Sequence, residues 1–175
     1  DNNMEVTVRD TDLGVERTYA LTIQRIAGPP IFDLHYYGWP YSTVLPAGSA
    51  WTFEGAVAGQ SPISFQWKKD GMNLAGANSL QYVIPNLSAA HVGRYMLTAQ
   101  NALGTTASGT ATLGVITTIP PSRVLLLNKG TLSLTASAVG PKGTTVRYEW
   151  NRSSSGVLAN GGRISGATSK TLAIS

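Results

Sequence analysis

A stretch of sequence that occurs twice, 90 residues apart, constrains the fold of this chain more than any other feature. Residues 74–79 (LAGANS) are echoed by residues 164–169 (ISGATS). Upstream of each copy lies a triplet that ends in tryptophan, residues 65–67 (FQW) and 148–150 (YEW). Similarity at a fixed spacing is the signature of a repeated structural unit, so two related units are predicted.

Short alternating runs indicate that these units are built from strands. Residues 5–8 (EVTV) and 18–23 (TYALTI) alternate with period two, and turn signals recur every 8 to 15 residues. Branched and aromatic side chains favour strands because they pack well on a pleated surface. The best helical candidate, residues 87–91, is a single turn. Many short strands with regular turns predict an all-β sandwich or barrel.

Composition excludes several classes of protein. The 175 residues include no cysteine, which excludes disulfides, thiolate zinc sites and a cysteine nucleophile. A net charge of +4 is thinly spread and shows no basic stripe, so no nucleic-acid partner is expected. No run approaches the 18 apolar residues of a spanning helix, and membrane insertion is not expected.

Catalytic and metal-binding motifs are missing from the sequence. It contains no Gly-x-Ser-x-Gly elbow, no His-Glu-x-x-His and no phosphate loop, so we do not expect an enzyme. His35 and His91 have no spaced partners, and residues 10–12 (DTD) read as a turn at least as well as a calcium site. No metal and no cofactor is therefore predicted.

Two proline pairs divide the chain. Pro29-Pro30 and Pro120-Pro121 stand 91 residues apart, about the length of one sandwich domain. Proline cannot donate to a sheet ladder, so such pairs belong at strand starts or linkers. The predicted segments are residues 1–27, 28–116 and 117–175.

At the repeated residues the chain resembles tandem immunoglobulin-like domains of the kind found in large bacterial surface proteins. The resemblance places strand B at residues 53–55, strand C at 65–67, strand E at 79–84, strand F from residue 93 and strand G at 111–115. It implies that Trp67 and Trp150 are core residues of the two copies and that Tyr95 is a corner tyrosine.

The chain departs from that family at its disulfide positions. These fall on Gly55 and Leu97 in the first copy and on Ala136 in the second. A small residue facing a large one can fill the space of a bridge, so packing is expected to replace the covalent tie. The aspartate usual four residues before the corner tyrosine is His91 here.

The two ends carry complementary pieces of the same pattern. The second copy stops at the end of strand E, whereas residues 4–23 resemble the closing strands F and G. Val6 aligns with Leu97, and Tyr19-x-Leu21-x-Ile23 aligns with residues 111–115. The prediction is an orphan F–G hairpin at 1–27, a complete domain at 28–116 and a partial domain, A–B–C–E, at 117–175. The hairpin could complete the partial domain, within the chain or between chains; a cut through a longer array would give the same ends.

The densest aromatic cluster lies just after the first proline pair. Four aromatic residues stand within residues 36–41: Tyr36, Tyr37, Trp39 and Tyr41. Exposed rings of this kind could stack on sugars or anchor a protein interface. Packing of the rings at the domain junction explains them as well, and we expect them to be partly buried there. Lys68 and Lys69 are expected to form a solvated turn.

The resemblance implies a non-catalytic module of an extracellular or cell-surface protein that acts as a spacer or in adhesion. Its expected partners are proteins, through self-association or neighbouring repeats, and possibly glycans. One alternative is a filament subunit that polymerises by donating its N-terminal hairpin to the incomplete sandwich of a neighbour. Another is a carbohydrate-binding accessory module that uses the aromatic cluster.

Overall fold

The computed structural model describes residues 2–10, 14–23, 27–32, 41–122, 124, 130–152 and 156–175. Three parts are distinguished below: the N-terminal hairpin (residues 2–23), the first sandwich (residues 29–118) and the C-terminal region (residues 130–175). The one helix among the described residues is a single 3-10 turn at Ala89–His91, and none of them forms a helix able to span a bilayer.

The N-terminal hairpin consists of β1 (Asn2–Asp10) and β2 (Val15–Ile23). The strands are antiparallel and pair without interruption from Asn2↔Ile23 to Asp10↔Val15. Gly14, at φ +63°, closes the connection in a conformation that glycine adopts without steric cost. Over the described residues, both strands pair only with each other.

In its described residues, 29–32 and 41–118, the first sandwich has ten strands around one core. They are β3 (Ile31–Phe32), β4 (Thr43–Pro46), β5 (Trp51–Phe53), β6 (Val57–Ala58), β7 (Ser64–Lys69), β8 (Met72–Asn73), β9 (Tyr82–Ile84), β10 (Gly93–Asn101), β11 (Gly104–Ala107) and β12 (Ala111–Thr118). One sheet has the strand order β12-β10-β7-β8. In the same sheet β4 pairs in parallel with β12, and β11 pairs with β10. Two further pairs, β5 with β9 and β3 with β6, are antiparallel.

Alternation along the strands builds the core. In β10, Tyr95, Leu97 and Ala99 are buried while Arg94 and Gln100 are exposed, as expected for a strand with one face inward. The core is dominated by large rings and aliphatic side chains: Phe53, Trp67, Ile84, Leu87, Tyr95, Leu97, Leu113 and Val115. The rings of Phe53 and Tyr95 stack with their centroids 4.5 Å apart.

The described part of the C-terminal region, residues 130–152 and 156–175, has six short strands. They are β13 (Leu132–Thr135), β14 (Ser137–Val139), β15 (Asn151–Arg152), β16 (Gly156–Val157), β17 (Ile164–Ser165) and β18 (Thr171–Ile174). β18 lies between β13 and β17, and β15 pairs with β16.

One strand serves both halves of the molecule. Val115 of β12 pairs with Leu45 of β4 on one edge and with Val139 of β14 on the other. In the first sandwich the pair that corresponds to β12–β14 is β3–β6, where Phe32 lies opposite Val57. β12 is thus the last strand of one sandwich and the first strand of the next. The boundary predicted between residues 116 and 117 falls inside this strand.

Candidate functional site

A tyrosine fixes the corner where the chain enters β10. The Tyr95 hydroxyl donates to the His91 carbonyl oxygen at 2.6 Å. Burial raises the pKa of Tyr95, and the nearby Tyr82 and Asp70 raise it further. His91 also has a local role, since its Nδ1 lies 3.0 Å from the Ser88 amide nitrogen, which donates to it. These hydrogen bonds hold the start of β10 against the 3-10 turn at Ala89–His91.

The Gly55–Leu97 contact takes the place of a disulfide. A Cβ built on Gly55 would come within 2.6 Å of Leu97 Cδ2, so the leucine occupies the space in front of the glycine. Leu97 itself is fully buried. A close contact of this kind leaves no void, and close packing supplies the stabilisation at that point.

The C-terminal region repeats the hydrogen bonds around the core tryptophan. The indole Nε1 of Trp67 donates to the Ser79 carbonyl oxygen at 3.0 Å, and that of Trp150 donates to the Ser169 carbonyl oxygen at 2.8 Å. The backbone amides of the two tryptophans donate to Ala77 and Ala167 in the same way. Trp67 is fully buried, whereas Trp150 is only half-buried.

The structure holds a cavity at the junction between the first sandwich and the C-terminal region. Its volume is about 500 Å³, and it lies between the outer side of β12 and residues 136–148. Gly114 is buried at this surface, where a Cβ would come 3.1 Å from Val44 Cγ2 and 3.3 Å from the Val139 carbonyl oxygen. Arg94 Nη1 spans the same junction and donates to the Lys142 carbonyl oxygen at 3.1 Å.

The chemistry of this cavity is that of packing and hydrogen bonding. Its lining combines aliphatic side chains, such as those of Val44, Ile116 and Val139, with four threonines, one serine, Tyr148 and the charged Arg147. In the parts of the chain that the structure describes, no three histidine or acidic side chains come together in a way that could hold a metal ion. The cavity therefore has the character of a junction between domains.

The predicted aromatic site lies mostly outside the described residues. Tyr36, Tyr37 and Trp39 fall there, as does His35, and their burial stays a prediction. Tyr41 is described and is 47% exposed. Its neighbour Ser42 accepts the Thr112 amide on its Oγ at 3.0 Å, which ties this end of the segment to β12.

The prediction for the lysine pair was wrong. Lys68 and Lys69 lie within β7 and are half-buried; they do not form a solvated turn. Lys69 Nζ donates to the Ala90 carbonyl oxygen at 2.5 Å. The turn begins at Asp70, whose φ is +51° and whose Oδ1 accepts the Arg94 amide at 2.9 Å. The sequence signal KKDG was correct for the turn but placed it two residues early.

Gly28, which follows the N-terminal hairpin in the chain, is held at the end of the first sandwich remote from the C-terminal region. Asn101 Nδ2 donates to the Gly28 carbonyl oxygen at 3.0 Å, whereas β14 pairs with residues 115–118. Along the strands these two points are roughly 40 Å apart. The five residue steps from Ile23 to Gly28 span at most about 18 Å. In a completed sandwich Ile23 would stand where Val115 stands in the first sandwich, at the end of the C-terminal region that is farther from Gly28 than β14 is. Completion of the C-terminal region by the hairpin of the same chain is therefore out of reach.

Comparison with known proteins identifies the type of sandwich. A titin fragment (I-band domains I67-I69) matches 85% of this chain with a TM-score of 0.51 at 20% sequence identity. Sidekick-1 immunoglobulin domains 1-5 match 86% of the chain with a TM-score of 0.51 at 17% identity. The chain spans 56% and 32% of those two structures. No protein-family model matches the chain, nor does any curated protein sequence.

These similarities, together with the strand order, show the fold. The chain consists of tandem immunoglobulin-like β-sandwiches, as the sequence predicted. The likeness is to immunoglobulin repeats of multidomain proteins, and the kinship with bacterial surface proteins stays a prediction. At 17–20% identity the likeness concerns the fold alone, and function has to be argued from the site.

Proposed function

We propose that this chain is a non-catalytic spacer of an extracellular or cell-surface protein, in which the junction between two sandwiches is stiff. The observation that carries the proposal is β12, which runs from Ala111 to Thr118 and belongs to both sandwiches. A domain boundary inside a continuous strand leaves no linker about which the two sandwiches could pivot. The location at the cell surface rests on the family resemblance.

Contacts on three sides support a stiff junction. β4 holds one edge of β12, and β14 holds the other. The Arg94 side chain adds a hydrogen bond from the start of β10 to Lys142. Bending the junction would break ladder hydrogen bonds, each worth about 0.5–1.5 kcal/mol. A spacer needs this property because a flexible connection would let the distance between its ends vary.

A distance measurement between paired spin labels tests the proposal. The chain has no cysteine, so Met72→Cys and Lys170→Cys place one label on each sandwich at exposed sites. We expect a single narrow distance distribution. Insertion of two glycines between Gly114 and Val115 should broaden it, because residues 115–118 then keep their pairing with β14 but lose their register on β4.

A matched insertion outside β12 serves as the control. Two glycines inserted between Pro121 and Ser122 follow the ladder and should leave the distribution narrow. A broad distribution in the chain without an insertion would contradict the stiff spacer.

A further inference from the structure

We propose that Asn160 is a site of spontaneous covalent modification, deamidation to aspartate and isoaspartate, which the closed loop around it restrains and local opening permits. Asn160-Gly161 is the one Asn-Gly pair in the 175 residues, and Asn160 is exposed. Asparagine is among the thermally labile residue types. Glycine has no side chain, so nothing at Gly161 hinders the approach of its amide nitrogen to the asparagine side chain.

The reaction needs water and no other partner. The Gly161 amide nitrogen loses its proton and forms a bond to Asn160 Cγ, while the Cγ–Nδ2 bond breaks and the nitrogen leaves as ammonia. Water then opens the cyclic imide at one of its two carbonyl groups. One product is aspartate. The other is isoaspartate, in which the main chain runs through the former side chain and is one atom longer.

The asparagine lies in a loop that is longer than its equivalent in the first sandwich. The Leu158 amide donates to the Trp150 carbonyl oxygen, as the Leu74 amide donates to the core tryptophan of the first sandwich. Two residues separate Leu74 from Ala77. Eight residues separate Leu158 from Ala167, so six residues are inserted at this point of the second copy.

The Asn160 side chain does what a backbone carbonyl does in the first sandwich. There the Ala77 amide donates to the Leu74 carbonyl oxygen at 3.2 Å. In the C-terminal region the Ala167 amide donates to Asn160 Oδ1 at 2.9 Å instead. Ala167 is buried, and its own carbonyl oxygen accepts the Trp150 amide at 3.0 Å. A chemically labile amide therefore anchors the frame of the core tryptophan.

Hydrogen bonds engage both reacting groups while the loop is closed. The Gly161 amide donates to the Ile164 carbonyl oxygen at 2.9 Å, and the Ile164 amide donates back to the Gly161 carbonyl oxygen at 3.0 Å. Gly162, at φ +55°, lies in the tight turn between them, at a position that favours glycine. The attacking nitrogen is thus bonded and the attacked side chain is held on Ala167. The ring therefore forms from the open loop, and the rate of deamidation follows the population of that state.

The modification weakens the anchor permanently. Aspartate at this position keeps an oxygen that accepts the Ala167 amide. Isoaspartate lengthens the main chain next to the Gly161–Ile164 turn, which moves the acceptor away from Ala167. The buried Ala167 amide then lacks a partner, and the segment that holds Trp150 is loosened.

Peptide mapping by mass spectrometry of the full chain tests the site. In chain unfolded by urea at mildly alkaline pH, Asn160 should deamidate faster than Asn78, an exposed asparagine that is followed by serine. In the folded chain the rate at Asn160 should fall at least about tenfold, because the loop is closed most of the time. Equal rates at Asn160 in the folded and unfolded chains would overturn the proposal.

Two glycine variants test whether local opening controls the rate. Gly162→Ala penalises the loop itself, and Gly143→Ala, at φ +83°, penalises another turn of the same region by a similar amount. At both positions an added Cβ meets nothing within 4 Å. Gly162→Ala should accelerate deamidation of the folded chain about tenfold, and Gly143→Ala less than about twofold. Equal acceleration would show that the whole region has to unfold and would contradict local control.

Hydrogen exchange at the Ala167 and Trp150 amides tests the role as an anchor. Asn160→Asp retains the oxygen acceptor and should preserve the protection of both amides. Asn160→Ala removes the acceptor and should lose it, as should aged protein in which mapping finds isoaspartate. Full protection in the aged protein and in Asn160→Ala would show that Asn160 anchors nothing.

Discussion

The first sandwich and the C-terminal region share their local hydrogen bonds but differ in their cores. Both hold a tryptophan by the same indole and backbone bonds, to Ser79 and Ala77 in one and to Ser169 and Ala167 in the other. In the first sandwich that tryptophan is fully buried and shares one core with residues of β10 and β12, whereas Trp150 of the C-terminal region is half-buried. Local sequence thus suffices for the frame, while burial depends on strands that are distant in sequence.

The largest expected difference between the two regions concerns the tryptophans themselves. Trp67→Ala should cost about 3–5 kcal/mol of stability, because a large, fully buried side chain is lost from a packed core. Trp150→Ala should cost only about 1–2 kcal/mol, because the side chain is half-buried. Hydrogen-exchange protection of the β9 amides measures the stability of the first sandwich, and that of the β18 amides measures the stability of the C-terminal region. Equal losses would show that the C-terminal region is as well packed as the first sandwich.

A pair of equivalent glycines sharpens the comparison. Gly76 and Gly166 have φ angles of +73° and +77°, a conformation that costs alanine about 1–2 kcal/mol. A Cβ on Gly76 would meet nothing within 4 Å, but one on Gly166 would collide with the Thr171 carbonyl oxygen of β18. Gly166→Ala should therefore destabilise its region by more than Gly76→Ala does, in urea unfolding followed by hydrogen exchange. The reverse order would mean that the turn before β18 is not built as described.

The smallest expected effect is a loss of stability of the first sandwich at alkaline pH. In the folded protein the pKa of Tyr95 lies above its ordinary value of 10.0, mainly because burial disfavours the phenolate. Above about pH 10 the unfolded chain loses this proton first, so stability should fall by up to about 1.4 kcal/mol per pH unit. At lower pH the contribution is constant.

Tyr95→Phe is the control for this pH effect. It loses the hydrogen bond to the His91 carbonyl, about 1 kcal/mol at neutral pH, but it should also lose the part of the alkaline slope that belongs to Tyr95. Urea midpoints at pH 8 and pH 11 measure both quantities. An unchanged slope in the variant would show that other groups cause the alkaline loss.

Much of the fold could be predicted from the sequence, because the residues that determine it lie close together in the chain or recur in both copies of the repeat. The tryptophan triplets and the glycine turn of each copy identify strands and turns within a dozen residues. The small residue Gly55 and the large residue Leu97 could be paired because the family pattern sets them opposite each other. No such pattern covers residues 33–40, and the aromatic site predicted there is untested.

The shared strand could not be found from the repeat pattern. The proline pairs suggested a boundary near residue 117, since proline ends a ladder, but Pro120 follows the strand and does not divide it. One signal was present: residues 111–118 (ATLGVITT) contain no turn-forming pair. Whether such a run ends one domain or begins another depends on β4 and β14, which lie far away in sequence.

Because β12 belongs to two sandwiches, neither sandwich can be duplicated as an intact domain without part of its neighbour. A duplicated segment that ran from β3 to β11 would carry its own first strand, β3, but would lack the last strand that β12 supplies. The shared strand also couples the folding of neighbouring sandwiches. When one sandwich unfolds, its neighbour loses the strand that pairs with its edge.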